Sequence, residues 1–289
     1  MERKRNKMKQ LCDLHTHTTA SDGSFTPEES VRYAKQLGAC ALAITDHDTI
    51  LGLQEAVDEG KRIGQKVIPG IEITTAKDGC EIHIIGLYLN YQDPKLIRQV
   101  EKLEQARIRR NEQMINRLIK NGFNISHKDL ERFSGSILTK AHVGQILVER
   151  GHAANVIEAM NRYLRKGGIA YVERETPSPK ECIQMIHDAG GLAFVAHANQ
   201  IDKNSRENSI HICRDILSLG ADGLETRYCE FDNDWNMRTD ALAEEYHCLS
   251  SGGSDFHGLF KKGLDMLHGY GNLEVPYEYV MRMEERLKG

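Results

Sequence analysis

Asp13-Leu14-His15-Thr16-His17 sets two imidazoles two residues apart. In an extended chain, residues spaced by two face the same side, so His15 and His17 can reach one cation together. Imidazole suits zinc, iron and manganese, and a carboxylate nearby broadens the choice towards manganese. An HxH pair by itself is equally well a pair of surface histidines on an edge strand. Further clusters change that balance: Thr45-Asp46-His47-Asp48, Gly70-Ile71-Glu72, and Gly253-Ser254-Asp255-Phe256-His257, with Asp22 in the turn Ser21-Asp22-Gly23. Singly these acids read as a turn residue, helix caps or solvated groups. At one edge of one sheet, they would be costly to bury without cations to pair them. Two or three close divalent cations suit phosphate ester hydrolysis, because they acidify a bridging water, align it with phosphorus and neutralise the charge that develops.

The elements that must carry these residues alternate strand with helix, the pattern of a (β/α) barrel or a doubly wound sheet. Seven strands are expected near Leu11–Thr16, Cys40–Thr45, Lys66–Thr74, Ile82–Leu89, Leu192–Ala198, Ala221–Arg227 and Leu249–Ser254. His15, His17, His47 and His197 stand at or just beyond strand ends, His257 follows the last strand, and His83 stands where a strand either ends or begins. The loops at the carboxyl ends of barrel strands build active sites. Thr26-Pro27-Glu28-Glu29 and Ser178-Pro179-Lys180-Glu181 start helices, which Gly38 and Gly190-Gly191 stop.

From about Lys95 to Lys166 the alternation breaks into helical pattern only. This stretch is expected to be a helical lobe, 95–166, inserted into a barrel formed by 1–94 and 167–289. Arg107, Arg109, Arg110 and Arg117 lie on its long first helix among acids and read as a solvated face. His127, His152, His187, His211, His247 and His268 fall away from the strand ends and read as structural or solvated. Tyr228, at the end of the sixth strand, reads either as a pocket residue or as an ordinary strand-end tyrosine.

The chain has 289 residues and a net charge of −4, which gives no global attraction to nucleic acid or anionic membrane. A phosphate ligand must therefore be held by local cations or metals. Seven cysteines are scattered with no CxxC pair, as fits a reducing compartment. The basic start lacks an apolar stretch behind it, and no apolar run approaches the ~20 residues that span a bilayer. The expectation is a cytoplasmic protein with no membrane or stable protein partner.

Together these motifs, with Ala196-His197, resemble the PHP family, named for its polymerase and histidinol phosphatase members. The resemblance implies a distorted seven-stranded (β/α) barrel that holds two or three divalent ions, with manganese expected and iron or zinc as alternatives. It implies that His15, His17, Glu72 and Asp255 hold a first ion. Glu72 would bridge to a second held by His83 and His197, and Asp22, His47 and His257 would hold a third. Lys140-Ala141-His142-Val143-Gly144 and Tyr163-Leu164-Arg165-Lys166-Gly167-Gly168 resemble lobe motifs of a nucleotide-acting subgroup. That subgroup removes the 3′-phosphate of nucleoside 3′,5′-bisphosphates or trims short oligonucleotides from the 5′ end.

By the same resemblance, Lys140, His142 and Lys166 would bind substrate phosphate. Glu72, Asp255 and His142 would be catalytic, His142 protonating the leaving oxygen. Two departures stand out: lysine at 140 where the subgroup usually carries arginine, and His197-Ala198 where it carries histidine-proline. The alternatives are a small-metabolite phosphatase, such as one acting on histidinol phosphate, and a non-enzymatic metal-binding module.

Overall fold

Helix starts follow the chemistry of the sequence. In the computed structural model, which describes residues 9–131, 133 and 138–289, Thr26 and Ser178 each close a capping box with the glutamate three residues on. Residues 1–8, which include the basic start, and residues 132 and 134–137 lie outside the described residues.

Seven strands form one sheet in sequence order: β1 (Cys12–Asp13), β2 (Ala41–Ile44), β3 (Val67–Lys77), β4 (Cys80–Leu87), β5 (Leu192–Val195), β6 (Gly223–Tyr228) and β7 (Leu249–Gly253). The ends of the sheet meet, with Leu14 N donating to Gly252 O at 3.1 Å and Asp255 N to His15 O at 2.9 Å. The result is a nearly closed, distorted barrel. A Cβ added to Gly253 would stand 2.4 Å from that of His15, so glycine is what lets β7 come this close to β1.

The structure departs from an all-parallel reading at β4, which runs antiparallel to both neighbours. The cause is local. Asp78 (φ 52°) and Gly79 (φ 80°) form a two-residue turn with both residues left-handed, as a type I′ hairpin requires. The β3–β4 hairpin therefore rises past the strand ends on either side, and β4 starts at the rim where its neighbours finish. His83 enters its strand. β1 is shorter than expected because the chain leaves the sheet after Asp13 towards the rim.

Side chains alternate across the barrel wall. Cys12, Leu14, Ala41, Ala43, Ile68, Ile85, Leu87, Leu192 and Phe194 fill the interior with Val280 and Met283 of a terminal helix. The opposite faces of the strands pack against the surrounding helices. In chain order the helices are α1 (Pro27–Leu37), α2 (Leu53–Ile63) and α3 (Pro94–Lys120), then the short α4 (Lys128–Glu131), α5 (Lys140–Glu149) and α6 (Val156–Ala159). They continue with α7 (Pro179–Asp188), α8 (Arg206–Ser218), α9 (Asn233–Glu245) and α10 (Glu278–Arg286).

Because β4 ends far from the rim, the chain must climb back. The 27 residues of α3 do this over about 40 Å. Leu96, Val100 and Leu103 join the barrel's outer core, whereas Met114, Ile115 and Leu118 join a separate cluster with Val143, Ile146, Leu147, Leu164 and Val172.

Candidate metal centre

The interior-facing rows that begin as Ile68 and Leu87 continue upward as Glu72 and His83. Side-chain chemistry thus changes from apolar to ionic along the same wall. Around this layer the rim brings together all nine residues expected from the sequence. Four groups have possible ligand atoms within 4.8 Å of one another: His17, Asp22, His47 and His257; His15, His17 and Asp255; His15, Glu72 and His197; His47, Glu72 and His83. His15, His17, His47 and Glu72 each belong to two groups, so these are lobes of one cluster. Among the described residues, none of His127, His152, His187, His211, His247 and His268 joins them.

The geometry is that of ligands facing a common centre. His15 Nε2 and His17 Nε2 stand 3.1 Å apart, and His17 Nε2 is 3.1 Å from Asp255 Oδ1 and 3.3 Å from Glu72 Oε2. Two ligand atoms about 2.1 Å from one ion are separated by roughly 3.0–3.4 Å. His47 Nδ1 lies 2.8 Å from Glu72 Oε2, yet neither atom has a hydrogen-bond partner, and His17 Nδ1 and His197 Nδ1 are likewise buried and unpartnered. Buried polar atoms without partners are rare and need an occupant. These residues therefore fit divalent cations.

Electrostatics agree. Burial alone would raise the Glu72 carboxyl, but the surrounding imidazoles hold it well below the carboxylate range. Burial alone would lower His17, but Asp255 and Glu72 hold it up at about 9, and Glu72 and Glu81 hold His83 up at about 10.

Several supports carry no signal in a short motif. Glu225, buried on β6, accepts from His15 Nδ1 at 3.0 Å and from the His197 backbone N at 2.6 Å. It fixes His15 with Nε2 towards the centre and clamps His197, whose φ is 23°. Tyr228 donates to Asp255 Oδ2 at 2.9 Å, and Lys261 donates to the same oxygen at 2.6 Å. Asp255 itself sits at φ 53°. Asp13 binds Ser254 N and Oγ and Leu267 N, and Asp46 binds Thr18 and Ser21, which shapes the loop that presents Asp22. These two aspartates are braces.

Lys140 and His142 lie in the first turn of α5. His142 Nδ1 accepts from Thr139 N at 3.1 Å, and its ring stacks on Phe133. Lys140 reaches Glu81 at 3.4 Å. Lys166 is exposed, near enough to Cys80 for its charge to act on that thiol. The solvated face expected of the α3 arginines is half wrong. Arg109 and Arg117 are exposed, but Arg107 and Arg110 are only 5% exposed. Arg107 Nε binds Asp48 Oδ2 at 2.5 Å, and Arg174 Nη1 binds the same oxygen at 2.7 Å. Spaced by three on a helix, Arg107 and Arg110 turn to the barrel together.

The profile of the PHP domain matches residues 13–176. A 5′-3′ exoribonuclease from Haemophilus influenzae is 35% identical over 248 residues, which are 85% of this chain and 89% of the relative. The chain belongs to the PHP family. Among its PHP relatives, a 3′,5′-nucleoside bisphosphate phosphatase from Chromobacterium violaceum is 29% identical over 89% of this chain and 90% of its own. A solved structure from Bifidobacterium adolescentis, described as a metal-dependent phosphoesterase, superposes with a TM-score of 0.84 at 26% identity, covering 96% of each chain. All seven cysteines are free, and no helix among the described residues is long and apolar enough to cross a membrane.

Proposed function

We propose that this PHP protein is a metal-dependent phosphoesterase that acts on nucleotides in the cytoplasm. It removes the 3′-phosphate of nucleoside 3′,5′-bisphosphates and cleaves 5′-terminal phosphodiesters of short oligonucleotides. The carrying observation is the rim cluster, where the unpartnered His47 Nδ1 and Glu72 Oε2 face each other at 2.8 Å. Two relatives that cover most of the chain are named for phosphoester chemistry on RNA and on nucleoside bisphosphates.

His15, His17, Glu72 and Asp255 would hold one ion, Glu72 with His83 and His197 a second, and Asp22, His47 and His257 a third. Manganese suits this mixture of imidazole and carboxylate, with iron and zinc as close competitors. Bound ions would acidify a water and neutralise the phosphate oxygens.

The chain's own residues do the rest. Glu72 faces the centres of two groups and fixes their spacing, while Asp255, pinned by Tyr228 and Lys261, points its other oxygen at His17. His142 accepts at Nδ1, which puts the ring proton on Nε2, the atom that can protonate a leaving oxygen. Lys140 and Lys166 add positive charge on the lobe side for substrate phosphate.

The test is phosphate release by manganese-loaded protein from adenosine 3′,5′-bisphosphate, a 5′-phosphorylated trinucleotide and histidinol phosphate. Turnover of either nucleotide above histidinol phosphate supports the reading. Preference for histidinol phosphate, or no turnover by folded, metal-loaded protein, overturns it.

A further inference from the structure

The rim is held differently on its two sides. Towards the lobe, Asp48 and Glu81, which lie beside His47 and His83, pair with Arg107, Arg174 and Lys140 across the joint between lobe and barrel. There the cations bind acids that only adjoin the expected ligands. On the β7 side, a cation binds an expected ligand itself.

Lys261 reaches Asp255 because of how the chain leaves β7. Gly258 turns it at φ 69°, where a side chain would collide with Ser24. The turn is fastened to the first rim loop, with Ser24 N donating to His257 O at 3.1 Å and Leu259 N to Ser24 Oγ at 2.7 Å. Residue 261 is thereby brought back to residue 255. Its Nζ donates to Asp255 Oδ2 at 2.6 Å and to the Asp255 carbonyl at 3.2 Å.

The two oxygens of Asp255 are therefore divided. Oδ1 faces imidazole nitrogens, with His17 Nε2 at 3.1 Å, His257 Nδ1 at 3.4 Å and His15 Nε2 at 3.6 Å. Oδ2 takes two donors, Lys261 and the hydroxyl of Tyr228. Gln200 Nε2 donates to that hydroxyl at 2.7 Å, which leaves the phenol proton for Asp255. The pairing is mostly shielded from solvent, the Asp255 side chain being 9% exposed and that of Lys261 29%. Three carboxylates stand among the expected ligands, Asp22, Glu72 and Asp255, and one of them spends an oxygen on a lysine. For metal binding alone this is unfavourable, since the ammonium repels the ion and weakens its ligand. A carboxylate free of such a partner can give both oxygens to one ion.

We infer that Lys261 is a positioning residue for the metal centre. By occupying the second oxygen of Asp255, it holds that ligand to one oxygen and keeps a coordination position open for water or substrate, at a cost in metal affinity. Catalytic metal sites need an open position, whereas structural sites are closed by protein ligands. The inference rests on the metal-dependent reading above, and adds that the centre binds metal less tightly than its ligands allow.

The test titrates manganese alone into metal-free wild type and Lys261→Met by calorimetry, and counts bound water by water-proton relaxation. Lys261→Met is expected to bind manganese about 10- to 100-fold more tightly, the order for removing a like charge beside an ion and changing the partner of its ligand. It is also expected to lose about one bound water per chain, as the freed oxygen fills the open position. A lysine that served the fold alone would give the opposite sign, weaker binding with no water lost.

Unchanged or weaker affinity overturns the inference, and so does tighter binding with full hydration. If Lys261→Met does not fold, Lys261→Ala lacks the same ammonium and must show both changes. Neither readout uses turnover. Wild type that binds manganese but releases no phosphate refutes the phosphoesterase reading alone, while wild type that binds no manganese overturns both.

Discussion

The rim and the lobe–barrel joint are two buried polar clusters that differ in what each lacks. At the rim, atoms that could ligate a cation are left over: His17, His47, Glu72 and His197 each have a buried atom with no partner, and those of His47 and Glu72 face each other at 2.8 Å. At the joint, donors are in excess, on Arg110 and Arg174. One cluster calls for cations and the other is held by ion pairs between lobe and barrel, and Asp48 and Glu81 border both. They also differ in construction. The rim is set on strand ends and braced by Asp13, Asp46, Glu225 and Tyr228. The joint is assembled from a helix face, a hairpin and a returning segment, so it depends on how the lobe seats.

The largest test of this contrast is at Glu72. Glu72→Gln should lower phosphate release by about 10³-fold or more, the order of loss for a group that stabilises developing charge, and bound metal counted by elemental analysis should fall with it. Measured metal content equal to wild type would separate the carboxylate from the ions. Asp48→Asn should act on the joint. It takes the carboxylate charge from both Arg107 and Arg174 and should cost about 3–5 kcal/mol of stability, read by denaturant unfolding, with rim metal retained. If metal is lost instead, the two clusters are one unit.

Glu225→Gln should weaken metal binding about 10- to 100-fold in chelator competition, as expected when the group orienting a ligand is removed. An unchanged affinity would make Glu225 a fold residue only. The smallest effect is pH dependence. His17 and His83, held at about 9 and about 10 in the metal-free fold, lie above the ordinary 6.5. Their stabilising protonation is complete below about 6.5 and drains away as pH rises through those values. Metal-free protein should therefore melt progressively lower from pH 7 to 10, while manganese-saturated protein should change much less. Parallel melting curves would show that protons do not substitute for metal at the rim.

The rim was open to sequence reading because its residues come in short runs on strands of known period. His15 and His17 share a side, and Asp255 and His257 follow an apolar strand. Glu225 was not visible that way, since Leu224-Glu225-Thr226 contains one acid and no second functional group. The direction of β4 had a signal in Asp78-Gly79, but its consequence, bringing the start of a strand to the catalytic edge, appears only once the strands are paired. The α3 arginines misled for a physical reason. Charged residues around them imply solvent, but the acid that draws Arg107 inward is Asp48, 59 positions away. Local pattern reports neighbours along the chain, and the joint has almost none.

The hairpin turn at Asp78-Gly79 looks like ordinary surface loop, the kind of place where homologous chains gain and lose residues freely. Here its length is constrained from below. Thr74 faces His83 and Glu72 faces Ile85 across the ladder, all on the inner side. One residue more or less in the turn would shift β4 by one step and send His83 through the wall. Length variation among close relatives should therefore avoid this turn, or come in steps that keep His83 facing inward, and a one-residue insertion between Asp78 and Gly79 should be nearly as damaging as deleting a ligand.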